Sequence, residues 1–335
     1  MPKFIPGLKL SELFYREAVK PILESQFPSL KYSAGLVGSG SEVLGYDTTQ
    51  STDHHWGPRM LLFLSENDYR RNNDRIWRVL SERLPYEFRG YSTNFGKPDR
   101  FGVRLLEEIK SGPVNHLIEI FTTRSFFKEY LNFDPYKEVK TSDWLRFSEH
   151  RLLEIVKGKI FHDDLDLNKI RNKFNYYPRD IWLHLLSLQW YRISQEEAFM
   201  SRCGDVGDEI GSRLISSRQV NRLMKLCFLM EREYAPYSKW FGKAFGELRS
   251  SEKLIPILNK VLEAQSWKER EKDLSQAYEE VAKLHNQLKI TKSMKTKVSK
   301  FYKRPYLIIH AKNFEDEIRK SIVDREVKEI QLDVG

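Results

Sequence analysis

The sequence predicts an α+β protein of two domains, a sheet-bearing first domain and a mainly α-helical second one. Three observations carry that prediction. Apolar runs of strand length, at 32–37, 60–64 and 114–121, all fall in the first 121 residues. From Ser142 onward nearly every segment repeats its apolar residues at helical spacing instead. The chain has 335 residues, 40% of them hydrophobic, which is enough for two cores. The change of pattern places the boundary after residue 135, giving domains 1–135 and 136–335 with a linker at 134–141.

The elements follow in order. Leu10, Leu13, Phe14, Ala18, Val19, Ile22 and Leu23 share a helical stripe, which Ser11 introduces and Pro28 ends. The run 32–37 is the first strand and delivers the chain into Gly38-Ser39-Gly40-Ser41. The second strand is 60–64. Residues 68–84 set Ile76, Trp77, Val79 and Leu80 among charges, predicting an amphipathic helix stopped by Pro85. Gly, Asn and Pro make 88–101 a loop, and Ser111-Gly112-Pro113 leads into the third strand. In the second domain the apolar run through Leu223, Leu226, Cys227, Leu229 and Met230 predicts the central core helix. Residues 304–310 form a late strand-like run, expected to return to the edge of the first sheet because Pro305 is tolerated at a strand start.

Composition narrows the partners. Lys and Arg total 56 against 47 Asp and Glu, a net charge of +9 with a pI of about 9.2, which favours anionic partners. The excess is densest between Lys289 and Lys303. Two cysteines are too few for a disulfide framework or a zinc cluster. No apolar run reaches membrane-spanning length and no signal peptide is legible, so the expectation is a cytoplasmic protein with no membrane contact.

One stretch offers a chemical constellation. Gly38, Ser39, Gly40 and Ser41 form a turn that would bring backbone N–H groups and two hydroxyls close to a phosphate. Asp53 stands just before the second strand, where a carboxylate can hold the divalent cation that nucleotide phosphates carry. The turn is neither a Walker loop nor a dinucleotide fingerprint, since neither Gly-Lys-Ser/Thr nor the third glycine follows.

A strand, Gly-Ser, about a dozen residues and an Asp beside a second strand resemble the signature of the nucleotidyltransferase superfamily. Eleven residues separate Ser41 from Asp53, and 13 separate Ser39 from it. Over nearly the whole chain the sequence resembles an uncharacterised bacterial family of nucleotidyltransferase-like proteins. The residues that carry this resemblance run from Gly38 to Asp47 and from Asp53 to Arg59. They continue in Phe161-His162-Asp163-Asp164, Tyr176-Tyr177-Pro178-Arg179-Asp180, Gln195-Glu196-Glu197-Ala198-Phe199, Arg202-Cys203-Gly204-Asp205, the run from Arg232 to Trp240, and Arg304-Pro305-Tyr306.

The resemblance implies a nucleotidyltransferase-like mixed sheet and transfer of a nucleoside monophosphate from ATP or another NTP to a hydroxyl or similar acceptor. It also implies Mg²⁺ or Mn²⁺ on paired carboxylates. Asp53 fits the first carboxylate position. The second is His55, a departure, because imidazole is a poor Mg²⁺ ligand. Asp47 and Glu119 are the candidates to complete the metal set. Arg59 and Lys239 would neutralise the triphosphate, and Glu196 or Glu197 would serve as general base on the acceptor. His54 and His55 could instead belong to a transition-metal site, provided they lie in a loop, since adjacent strand residues point to opposite faces. The bland alternatives are turn and scaffold residues, ion pairs between helices and a solvated basic loop. His55 also supports a second reading: a catalytically degenerate protein that binds nucleotide or RNA, or an interaction protein with a protein partner.

Overall fold

The structure, a computed structural model, describes residues 3–332 and divides the chain into two compact units, 1–175 and 176–335. The fold is α+β, a mixed four-stranded sheet with helices in the first unit and a mainly helical second unit.

The first unit opens with α1 (Gly7–Phe14), a π-turn over Tyr15–Val19 and α2 (Lys20–Gln26), a single helical rod. The widened turn ends just before Pro21, whose ring would clash with the carbonyl four residues earlier in a regular α-helix and which has no N–H to bond it. β1 (Tyr32–Leu36) follows, then a 3₁₀ turn (Thr49–Asp53) and β2 (Arg59–Leu64), both strands buried along their whole length. α3 (Glu66–Arg83) starts where the Ser65 hydroxyl accepts the Asp68 N–H, with Glu66 and Asp68 complementing the helix dipole. β3 (Glu87–Phe88) and β4 (Tyr91–Ser92) form a minimal hairpin in the predicted loop. β5 (Leu117–Thr122) runs directly into α4 (Thr123–Leu131), where Thr122 and Ser125 close a capping box. α5 (Thr141–Arg146), α6 (Glu149–Lys157), β6 (Lys159–Asp163) and α7 (Leu167–Arg171) complete the unit.

The sheet order is β5-β2-β1-β6. β1 is antiparallel to β2 and to β6, and β2 is parallel to β5, with Leu61 opposite Glu119. One face sets Ala34, Met60, Leu62, Leu64 and Ile118 in a core with Leu10, Phe14, Ile76 and Leu80 of α1 and α3. On the other face Phe63 and Phe121 meet Phe126 of α4 edge-on. These burials fix the strand register, because a one-residue slip would turn each apolar side chain to the wrong face.

The expected boundary after residue 135 differs from the division at 175. The segment 136–175 belongs with the first unit because β6 pairs with β1 and supplies the fourth strand of the sheet.

The second unit contains α8 (Arg179–Glu196), α9 (Phe199–Asp205), α10 (Glu209–Glu231), α11 (Ser238–Phe245), α12 (Ser251–Glu263) and α13 (Trp267–Gln287). A hairpin of β7 (Ser299–Lys300) and β8 (Leu307–Ile308) precedes α14 (Ala311–Lys320) and α15 (Arg325–Glu329). α10 packs on α8, α9, α12 and α13, and its residues Leu223, Leu226, Cys227, Leu229 and Met230 are buried, as its sequence predicts. The late strand is real but pairs with β7. It does not return to the first sheet, because its ladder partners lie a few residues upstream.

Candidate functional site: the turn after β1

The turn that leaves β1 is shaped by two glycines in the left-handed region, Gly38 at φ +91° and Gly40 at φ +147°. At Gly40 space as well as φ demands glycine. A Cβ there would come within 2.5 Å of Glu42 Oε2 and 2.6 Å of Arg59 Nη2. Gly38 N–H donates to the Glu154 carbonyl at 3.3 Å, and the Val43, Gly45 and Tyr46 N–H groups close on Gly40, Glu42 and Ser41. The N–H groups of Ser39, Gly40 and Ser41 meet no protein acceptor among the described residues, and these residues are open or half-open to solvent. Successive unoccupied N–H groups on a tight turn form an anion-accepting concavity.

A buried ion pair supports the turn. Glu42 and Arg59 are 4% and 8% exposed. Arg59 donates from Nε at 2.8 Å and Nη2 at 2.6 Å to Glu42 Oε1, and Nη2 also reaches the Ser39 carbonyl at 2.6 Å. Arg59 was expected to contact triphosphate; it instead braces the turn, its charge matched by Glu42. Behind the turn Tyr130 stacks on Phe126, with ring centroids 5.4 Å apart. Its hydroxyl donates to Glu154 and hydrogen-bonds Ser39, and burial followed by the Glu154 charge raises the phenol above its ordinary range.

The expected metal set disperses. Asp47 Oδ2 accepts the Gly7 N–H at 2.7 Å and the Trp56 Nε1–H at 2.9 Å, tying the start of α1 to Trp56. That is a scaffold role. His55 lies in the loop before β2, in the left-handed region at φ +50°, and its N–H donates to the Arg104 carbonyl at 3.1 Å. Burial, then Arg59 and Arg104, lower its imidazole below the usual range and keep it neutral at pH 7. Glu119 is exposed on β5, where a ligand can reach it. The packed surroundings still raise its carboxyl above the ordinary range, against the pull of Arg59 and Arg104. The side chain of Asp53 lies outside what the structure describes.

Among the described residues no three His, Cys, Asp or Glu side chains gather as a metal-holding group. Of the described members of the expected set, Asp47 is committed to the scaffold and Glu119 stays open to a ligand.

Arg104 is the residue that the sequence reading missed. Both His55 and Glu119 feel its charge, and no carboxylate pairs with it among the described residues. In the sequence nothing separates it from Lys97 and Arg100 of the same loop.

The remaining expected residues belong to the second unit. Glu196 is clamped by Arg218 at 2.7 Å and Arg222 at 2.5 Å. Burial pushes its carboxyl up, but the bonds and charges of the two arginines outweigh this and hold it below the usual range, which makes it a weak base. Glu197 is buried, and its carboxylate oxygens accept the N–H groups of Ile309 at 3.1 Å and Ala311 at 3.3 Å at the start of α14. Its oxygens are thus committed to backbone, although burial pushes the carboxyl up to about 7 against the backbone donors Ala311, Ile309 and His310. Lys239 is exposed and lies 4.9 Å from the Trp240 ring centroid on α11.

The family described as a domain of unknown function, DUF4037, matches residues 144–241. That stretch holds Glu196, Glu197 and Lys239 but not the turn after β1. No curated protein matches the chain. A solved structure, that of a nucleotidyltransferase-like protein from Exiguobacterium sibiricum 255-15, is similar at 11% identity and a TM-score of 0.30. The likeness covers 82% of this chain and 74% of that one. A similarity at that level establishes neither fold nor function.

Proposed function

We propose that the first unit binds the phosphates of a nucleoside triphosphate at the 38–41 turn. The supporting observation is the row of unoccupied N–H groups at Ser39, Gly40 and Ser41, held open by glycine geometry and by the Glu42–Arg59 pair beneath it. Ser41 adds a hydroxyl donor, whereas the Ser39 hydroxyl is taken by Tyr130, and Arg104 would supply the positive charge that Arg59 does not. Among ligands of this chemistry a nucleotide is favoured by the resemblance carried from Gly38 to Arg59.

A second reading is metal-dependent nucleotidyl transfer from ATP or another NTP, with Mg²⁺ or Mn²⁺ held by Asp53 and Glu119. The exposed carboxyl of Glu119 on the strand beside β2 favours it, and His55 in the second carboxylate position weighs against it.

The experiment is thermal unfolding with ATP, GTP, CTP and UTP, each with and without Mg²⁺ or Mn²⁺, on the wild-type protein, Asp53→Asn and Arg104→Ala. A ligand that binds only the folded state stabilises it by about 2.7 kcal/mol at a hundredfold excess over its Kd. A shift without metal that Arg104→Ala diminishes supports nucleotide binding. A shift that needs metal and vanishes in Asp53→Asn supports the transferase. No shift with any nucleotide rejects both.

A further inference from the structure

Residues 289–304 contain six lysines and Arg304 and no acidic residue. Such a run is ordinarily a solvated loop, but here its backbone is held. Asn286 donates to the Met294 carbonyl and accepts the Met294 N–H, each at 2.9 Å, and the Phe301 N–H closes on the Tyr306 carbonyl at 2.8 Å. The run borders a groove of about 680 Å³ walled by Lys292, Lys295, Lys297 and Lys320, with the buried Ile309 and Phe314 also lining it. Ser293, Ser299 and Asn313 add polar groups to the same walls.

The acidic residues nearby offset only part of this charge. Glu317 takes Lys292 at 2.8 Å and Lys320 at 2.6 Å, Glu279 takes Lys297 at 2.6 Å, and Asp316 takes Lys312 at 2.5 Å. Lys289, Lys295, Lys300, Lys303 and Arg304 have no carboxylate partner among the described residues. The N-terminus of α14 adds no anion site, since its first N–H groups are already bonded to Glu197. The free positive charge is therefore all on side chains, spaced along an ordered backbone.

Beside this charge stands an uncovered aromatic ring. Ser299 and Ile309, which line the groove, lie at the two ends of the β7–β8 hairpin, and the tip of that hairpin carries Tyr302. Tyr302 is 84% exposed and is fixed in the left-handed region at φ +55°, with Lys303 and Arg304 next to it. Cations that track a phosphate backbone, beside an open ring on which a base can stack, are the two components of single-strand recognition. A duplex hides its base faces and cannot use the ring. A lipid surface would call for exposed aliphatic side chains, and Ile290, Met294 and Val298 are each half-buried.

We propose that the groove and hairpin tip of residues 289–304 bind single-stranded nucleic acid, with the unpaired lysines contacting phosphates and Tyr302 stacking on a base. The site lies in the second unit and does not depend on the nucleotide reading of the 38–41 turn.

Fluorescence anisotropy of the full chain with a labelled 12-nucleotide oligouridine, titrated at several salt concentrations, tests it. Binding should weaken with salt by about 0.7 in log–log slope for each phosphate contacted. Lys295→Ala with Lys300→Ala should lower that slope by about 1.4. Tyr302→Ala should weaken binding roughly 5- to 150-fold and leave the slope unchanged, since stacking contributes no counterion release. All three side chains are exposed, and an unchanged melting temperature confirms that the variants fold. Three results would each overturn the proposal: no binding at low salt, wild-type affinity in Tyr302→Ala, or binding to a 12-base-pair duplex or to phosphatidylserine vesicles as tight as to the single strand.

Discussion

Glu197→Gln is the most informative single substitution, because the structure sets two opposing effects on one carboxyl. Burial favours the protonated form, while the N–H groups of Ile309, His310 and Ala311 favour the ionised one. The balance raises the carboxyl from its ordinary value of 4.5 to about 7. Between pH 4.5 and 7 the folded chain then holds a proton that the unfolded chain has lost. Glu197 is thus least costly to the fold below pH 4.5, and its contribution falls as pH rises through the folded value. At about 1.4 kcal/mol for each tenfold difference in proton affinity, the whole change is about 3 kcal/mol. Glutamine keeps one oxygen for the backbone donors and cannot ionise. Urea unfolding of both proteins at pH 4.5, 5.5, 6.5 and 7.5 isolates this residue, since all other groups titrate alike in the two chains. The stability difference should move by about 3 kcal/mol in favour of the glutamine variant between the ends of that range. A difference constant to within about 0.5 kcal/mol would refute the reasoning and show that the backbone donors outweigh burial.

Four further outcomes follow from the first unit. Glu42→Ala leaves the Arg59 guanidinium buried without its carboxylate and should cost about 3–5 kcal/mol by denaturant unfolding. Glu42→Met with Arg59→Met should recover most of that loss, and a double variant as unstable as the single one would contradict the pair's role. Gly40→Ala should lose about 1–3 kcal/mol through its backbone conformation alone, with the crowding against Glu42 and Arg59 adding to it. Asp47→Ala should lose about 1.5–3 kcal/mol, the worth of hydrogen bonds to a charged group, and a loss under about 0.5 kcal/mol would return Asp47 to the candidates for a ligand role. Arg104→Ala should leave urea stability within about 0.5 kcal/mol of wild type, as for a surface cation with no partner. The same variant should reduce any nucleotide-induced rise in melting temperature, and an undiminished rise would remove Arg104 from the site.

Features that depend on neighbours in the chain were legible in the sequence, and those that depend on distant pairing were not. The strands at 32–36, 59–64 and 117–122 were visible because each buries apolar residues on the sheet's two faces. The 38–41 turn was visible because a positive φ calls for glycine wherever the rest of the fold lies. β6 was hidden. Lys159-Ile160-Phe161-His162-Asp163 is an edge strand, half-buried along most of its length, so it lacks the apolar contrast that marks an inner strand. Missing β6 also moved the domain boundary, since its pairing with β1, like the bonds from Gly38 and Tyr130 to Glu154, joins 136–175 to the first unit.

The same distinction explains the site residues. Asp47, Arg59 and Glu197 have the chemistry of a ligand, a phosphate contact and a base when read singly. Their partners decide otherwise: the start of α1 lies 40 residues from Asp47, Glu42 lies 17 from Arg59, and the start of α14 lies more than 110 from Glu197. A polar side chain near a glycine turn is therefore ambiguous in sequence, because burying a charge demands a partner, and the need for a partner resembles the need for a ligand. Arg104 shows the converse. It lacks a carboxylate partner among the described residues where Arg59 has one, and its charge is felt at both His55 and Glu119.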